Sequence, residues 1–317
     1  MAAEDLAGPR VVVAGAGPAR LRQRFMTGVR RYWVLYLLIA PVLIYFTIFV
    51  FYPMGQGVFL SMQKAGLLGP RGFVGLDNYA KIFATPNVWQ ATVNTLLLAA
   101  GITVFGTLLP IIPAIALAEI VPVWLKRSLQ TVIYTPYLLS WVIIIGIWAN
   151  TLSPIGLVNS ALMNLGGIEQ PILFFAHPDW ARPLVVAQTV WRDMGFHALI
   201  YFAALISMNP DIIDSAELDG ANGWQKIRDH VLPHLRPMIA VVFLIILQGS
   251  LHTFDSAFLM LNGRTAEQIT TLSIYSYQRG LLQFDLGMAS ATGVVLLVLC
   301  LAVAAVTRLL LPNATRI

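Results

Sequence analysis

Ionisable side chains stand in two stretches that are otherwise largely apolar: Arg192 and Asp193 within Leu184–Met208, and His252 and Asp255 within Met238–Leu261. A charge in hydrocarbon costs several kcal/mol unless it is paired or faces a polar cavity. Trp191, Tyr201 and Phe254 flank these groups. Hydrogen-bonding side chains beside aromatic faces suit a polyhydroxylated solute. Trp191, Arg192, Tyr201, His252, Phe254 and Asp255 are therefore candidates for lining a solute path. A second reading stays open beside it: Arg192–Asp193 or Arg192–Asp255 is an ion pair that fixes helix packing, and the Trp and Tyr residues are interfacial anchors.

Other chemistry finds no support in the residue spacing. No Gly-x-x-x-x-Gly-Lys-Ser/Thr phosphate loop occurs, so ATP hydrolysis by this chain is not expected. His177, His197, His230, His234 and His252 are scattered, without zinc spacing, and no Ser–His–Asp assignment follows from the order of residues. Neither a metal nor a cofactor is expected on this chain. The run Val11–Gly17 imitates a dinucleotide-binding turn, but Arg20 occupies the third glycine position and no βαβ unit follows. Cys300, the one cysteine, lies in an apolar run and reads as a small buried hydrophobe.

The elements that must position these groups are membrane helices. Hydrophobic residues make up 58% of the 317 and charged residues 11%, against about 25% charged in a soluble domain. The net charge of +5 has no basic patch interleaved with aromatics behind it, so nucleic acid is not an expected partner. Crossing about 30 Å of hydrocarbon takes roughly 20 apolar residues at 1.5 Å each. Six stretches qualify: Trp33–Tyr52, Ala91–Ala118, Leu129–Ala149, Leu184–Met208, Met238–Leu261 and Leu286–Leu311. The first is too long for a secretory signal and lacks a cleavage site, so it is expected to be retained. Pro110 and Pro113 predict a bend in the second.

Lys and Arg concentrate on the cytosolic side of short loops. With the N-terminus inside, thirteen of the 20 Lys and Arg fall in the cytosol and six outside, leaving Arg192 within a span. Both termini are then cytosolic, and residues 1–30 form a basic cytosolic tail ahead of a transmembrane domain over residues 31–317. The loop 209–237 also falls in the cytosol. It opens Asn209-Pro210-Asp211, a cap, a proline at the first helical position and an acid at the positive helix end, which predicts a helix over Pro210–Leu218. Asp219-Gly220 supplies a turn. A second short helix is expected from about Gly223 to Val231, stopping before Pro233.

Asp214-Ser215-Ala216, then Asp219-Gly220-Ala221, then Leu232-Pro233 resemble the EAA motif of ABC-importer permeases, which reads Glu-Ala-Ala, three residues, Gly, nine residues, Ile-x-Leu-Pro. Asp214 replaces Glu and Ser215 the first Ala, keeping charge and small size. His230 puts a polar ring where an apolar side chain is usual. Phe73-Val74-Gly75-Leu76-Asp77-Asn78-Tyr79, Asn94-Thr95, Phe254-Asp255, Thr271-Leu272-Ser273-Ile274-Tyr275 and Ala289-Ser290-Ala291 resemble segments of the carbohydrate-uptake branch. Tyr134–Trp141, read as an outer-loop stretch, is similar to the oligosaccharide or polysaccharide permeases.

The resemblance implies an all-α polytopic bundle of six transmembrane helices, the type I ABC-importer permease fold, in the bacterial inner membrane. It implies that Asp214, Ser215, Ala216, Asp219, Gly220, Ala221, Leu232 and Pro233 couple to a separate ATPase dimer, which holds ATP and magnesium. It further implies a second homologous permease, an external solute-binding protein and lateral contact with lipid. Ion-coupled secondary transport by the chain alone is the alternative, although no internal repeat is visible. Import of a non-sugar solute such as a glycerophosphodiester, and a purely structural membrane subunit, are further ones.

Overall fold

Backbone in hydrocarbon must satisfy its own hydrogen bonds, and the apolar stretches do so as helices. The computed structural model describes residues 31–66 and 69–310; the expectations for residues 1–30, Leu311 and Arg316 lie outside the described residues. Four helices are long and apolar enough to cross a membrane: Trp33–Ser61, Pro86–Glu119, Gly223–Ser250 and Leu286–Leu309. Two bent pairs, Val123–Leu138 with Trp141–Thr151 and Pro178–Ile206 with Pro210–Leu218, raise the number to six if each is one crossing. The chain divides into two compact units at Gln56/Gly57.

In the first unit the helix from Trp33 is apolar on every side and buries none of its residues. The turn Thr47–Phe51 is a π-helix, just ahead of Pro53. A proline ring clashes with the carbonyl four residues back, and a widened turn there removes the conflict. The same device recurs at Ile227–Val231, ahead of Pro233. There it corrects an expectation. The second helix of the 209–237 loop does not stop before Pro233 but runs unbroken from Gly223 to Ser250, 28 residues or about 42 Å.

In the second unit the core lies between the helices beginning at Pro86, Pro178 and Leu232, and includes Leu98, Ile102, Val185, Tyr201, Leu235 and Val242. Small residues let backbones approach. A Cβ on Gly101 would sit 3.0 Å from Val186, and one on Gly195 would meet the backbone of Ile133 and Tyr134. The second span is interrupted at Leu109–Pro110, at the first of the two prolines expected to bend it. The second unit also holds an element the all-helical expectation omitted. Gln63–Gly66 pairs antiparallel with Gly69–Phe73.

Two spans expected to be continuous are broken. The third turns by 104° between Val123–Leu138 and Trp141–Thr151, because Pro136 donates no backbone hydrogen bond and Leu139 and Ser140 are extended. Tyr134–Trp141 spans this break, which falls at Leu139–Ser140 between the two helices. The fifth helix ends at Ser250, and Leu251–Phe254 leaves the helical path before the short helix Asp255–Phe258. Hydroxyls take over the freed backbone: Thr253 donates to the Ser250 carbonyl (2.7 Å) and Thr271 to the Thr253 carbonyl (2.9 Å).

The family-like segments hold irregular chain in place. Asn78 donates to the Ser61 and Gln63 carbonyls (2.8 and 2.9 Å), and the Tyr79 and Ser61 hydroxyls meet at 2.6 Å. Asn94 donates to the Glu267 and Thr270 carbonyls (both 2.9 Å), while Thr95 accepts from the Leu272 amide (3.0 Å). Asn94-Thr95 and Thr271-Leu272 are thus two halves of one joint. Ala289 is small because Gly280 packs against it.

Candidate functional site

The 209–237 loop is built by local capping. Asn209 accepts from the Asp211 amide (3.1 Å) at the start of Pro210–Leu218. At the end, the Ala221 amide donates to Ala216 (2.9 Å) and the Gly220 amide to Glu217 (3.0 Å), with Gly220 at φ +80° and Asp219 at the cap. That is the Schellman pattern, and it requires a left-handed residue at position 220. Asn222 and Gln225 then form a reciprocal capping box. Lys226 bridges to Glu217 (2.6 Å) and ties the two loop helices together.

Along this loop Ala216 is buried, Asp214, Ser215, Asp219 and Gly220 are exposed, and Ala221, Leu232 and Pro233 are half-buried. Leu218 is 91% exposed and Trp224 65%. Both are large apolar side chains turned outward beside the motif. The sequence reading did not single them out. His234 donates from Nε2 to the Ala204 carbonyl (3.1 Å), so the long helix from Gly223 is also tied to the end of the fourth span.

The second feature is a cavity of about 360 Å³ where the two broken spans meet the fourth. Arg192, His252, Phe254 and Asp255 line it. Tyr137, Trp141, Phe196 and His197 line it too, and the sequence reading missed them. Pro136, one residue before Tyr137, was the available signal of a break there. Two candidates lie elsewhere. Trp191 packs edge-on against Trp148 (centroids 6.0 Å apart), and Tyr201 is fully buried with its hydroxyl donating to the Thr107 carbonyl (3.0 Å).

Arg192 settles which ion pair forms. Its Nη1 donates to Asp193 Oδ1 (2.8 Å) and its Nη2 to the Tyr137 carbonyl (3.3 Å), while the guanidinium lies over the rings of Trp141 (4.8 Å) and Tyr137 (5.3 Å). Asp255 forms no ion pair among the described residues. Arg192 therefore clamps the broken third span to the fourth, and Asp255 stays free on the cavity wall. Arg192 Nε and His197 Nδ1 are buried there without a hydrogen-bond partner. Unpaired buried donors and acceptors are costly and signal a place where water or solute completes the bonding. The arrangement offers hydrogen bonds of both senses beside the Tyr137, Trp141, Phe196 and Phe254 rings.

Residues 106–316 match the family described as "Binding-protein-dependent transport system inner membrane component". The polygalacturonan/rhamnogalacturonan transport system permease protein YteP of Bacillus subtilis (strain 168) is 31% identical to this chain, over 86% of each. The sulfoquinovosyl glycerol transport system permease protein SmoG of Agrobacterium fabrum (strain C58 / ATCC 33970) is 31% identical, over 85% of this chain and 87% of its own. A chain of a bacterial alginate ABC transporter, crystallised with an alginate pentasaccharide-bound periplasmic protein, superposes with a TM-score of 0.82 at 30% identity. The match covers 92% of this chain and 98% of that one. These likenesses set aside the ion-coupled secondary transporter. The chain belongs to the binding-protein-dependent transport system inner membrane components, and it is a permease subunit with the type I ABC-importer fold.

Proposed function

We propose that this chain forms one half of the translocation path of an ATP-driven importer for a carbohydrate delivered by an external solute-binding protein. The observation that carries the reading is the cavity at the two helix breaks. There, unpaired polar atoms of Arg192 and His197 and the free Asp255 carboxylate stand beside four aromatic rings. Relatives named for polygalacturonan and alginate transport support the cargo class.

Both termini and the 209–237 loop lie in the cytosol on the positive-inside argument. The loop docks on a separate ATPase subunit through Leu218 and Trp224 beside Asp214, Ser215 and Gly220, and ATP and magnesium reside there. The capped loop and its unbroken continuation to Ser250 act as one lever, so closure of the ATPase dimer shifts the wall of the cavity. His252 and Asp255 are exposed on this chain, which supports a second, similar permease facing them.

Affinity purification of the tagged chain from membranes tests the reading. It is expected to bring an ATPase subunit and a second permease, and carbohydrate-loaded binding protein is expected to raise ATP hydrolysis. A chain that purifies alone and moves solute on an ion gradient would refute it.

A further inference from the structure

A second cavity, of about 330 Å³, lies between the start of the Pro86 helix and the segment from Ala266 to Gln283. We infer that it is a second carbohydrate-binding site, distinct from the deep one; this rests on the carbohydrate reading above.

Its lining presents polar and apolar surface in nearly equal parts. All but Ala91 and Ala266 of the residues around it carry hydrogen-bonding side chains. Asn94 at its base is committed to the fold: its amide donates to the Glu267 and Thr270 carbonyls, and its oxygen accepts from Gln90 (3.2 Å) and Arg182 (2.9 Å). Around that fixed base other groups are uncommitted. Among the described residues, the Glu267 carboxylate and the Gln278 amide have no hydrogen-bond partner, and Glu267 no ion pair. Arg279 is held in place by Tyr275 (3.0 Å) and Gln283 (2.8 Å), leaving the rest of its guanidinium free.

The chemistry selects the ligand. One Glu and one Arg nearly cancel, so no single sign of charge collects an ion. Side-chain amides both donate and accept, which matches hydroxyl groups that do the same. The volume is near the lower end for a small-molecule site, room for a short piece of a saccharide.

Both cavities lie along one helix. Asn94 lines this one and Ile102 and Gly106 line the deep one, all on one buried stripe of the same helix that includes Ala91 and Leu98. Eight residues separate Asn94 from Ile102, about 12 Å along the axis.

The test uses the assembled importer in lipid nanodiscs without its binding protein. The probes are radiolabelled tetragalacturonate, alginate tetrasaccharide and maltotetraose. Gln278→Trp fills the outer cavity at a half-buried position, and Glu267→Gln changes an exposed residue that folding does not need. With whichever saccharide binds, Gln278→Trp is expected to remove one equivalent per complex, and Glu267→Gln to weaken that equivalent about tenfold. Phe254→Ala should remove a different one. A single equivalent in wild type, lost with Phe254→Ala, overturns the second site and leaves the carbohydrate reading standing. Unchanged stoichiometry in Gln278→Trp also overturns it. Binding of none of the three probes removes both readings.

Discussion

Asp193→Asn and Asp255→Asn are similar changes in one cavity, and the structure separates their effects. Asp193 is the ion-pair partner of Arg192 at 2.8 Å, with about 20% and 25% of the Arg and Asp side chains exposed. Breaking a fully buried pair leaves an unpaired charge and costs about 3–5 kcal/mol. Here partial exposure screens the charge, the Asn oxygen still accepts from Nη1, and the Tyr137 and Trp141 rings still cover the guanidinium, at roughly 0.5–2 kcal/mol for such contacts. The remaining loss is about 1–2 kcal/mol, and it falls on the clamp between the third and fourth spans. Asp255→Asn breaks no ion pair and is expected to cost under about 0.5 kcal/mol. Fluorescence-detected thermal melting of the solubilised complex reads both. The Asp193→Asn midpoint should fall by several degrees with membrane levels reduced, and that of Asp255→Asn should stay within a degree while uptake affinity changes. Equal destabilisation by the two, or none by Asp193→Asn, would refute the assignment of Arg192 to Asp193.

Gly195→Leu drives a side chain into the backbone of Ile133 and Tyr134, and the loss, on the order of 3 kcal/mol or more, should abolish membrane accumulation seen by immunoblot. Gly220→Val puts a β-branched residue at φ +80°; at a cost of about 1–2 kcal/mol it should distort the loop, cutting ATP-driven uptake while membrane levels hold. Asn94→Leu removes four hydrogen bonds at about 0.5–1.5 kcal/mol each, and limited proteolysis should find the 266–272 segment newly cleavable.

Features set by neighbouring residues were legible. The Pro210–Leu218 helix, its Asn209 cap and the Gly220 turn appear where their local chemistry put them, because caps and turns depend on a few adjacent residues. The apolar stretches were legible as helices because length and composition suffice for that. The breaks in the third and fifth spans were not, since the composition is equally apolar on both sides of each. The third was within reach of the proline rule already applied to Pro110. The fifth depends on the Thr271 hydroxyl, eighteen residues away from Thr253, which no local pattern reveals. The Pro233 stop failed because a π-turn relieved the clash instead of ending the helix.

The cavity was half legible for a related reason. Arg192 and Trp191 are neighbours in sequence but about 100° apart around the helix, so only one faces the cavity. Adjacent helical residues do not face each other, which made Asp193 the less obvious partner for Arg192 than Asp255. The long guanidinium stem overcomes that geometry, and the rings of Tyr137 and Trp141 hold it there.

Reconstituted uptake tests the central claim most directly. Proteoliposomes carrying the chain with its co-purified subunits would be loaded with ATP and magnesium and given labelled saccharide with the solute-binding protein outside. The account predicts accumulation that requires internal ATP and the binding protein, persists when ion gradients are collapsed, and is lost with Gly220→Val. Accumulation that ignores ATP and the binding protein but stops when the gradients collapse would contradict it.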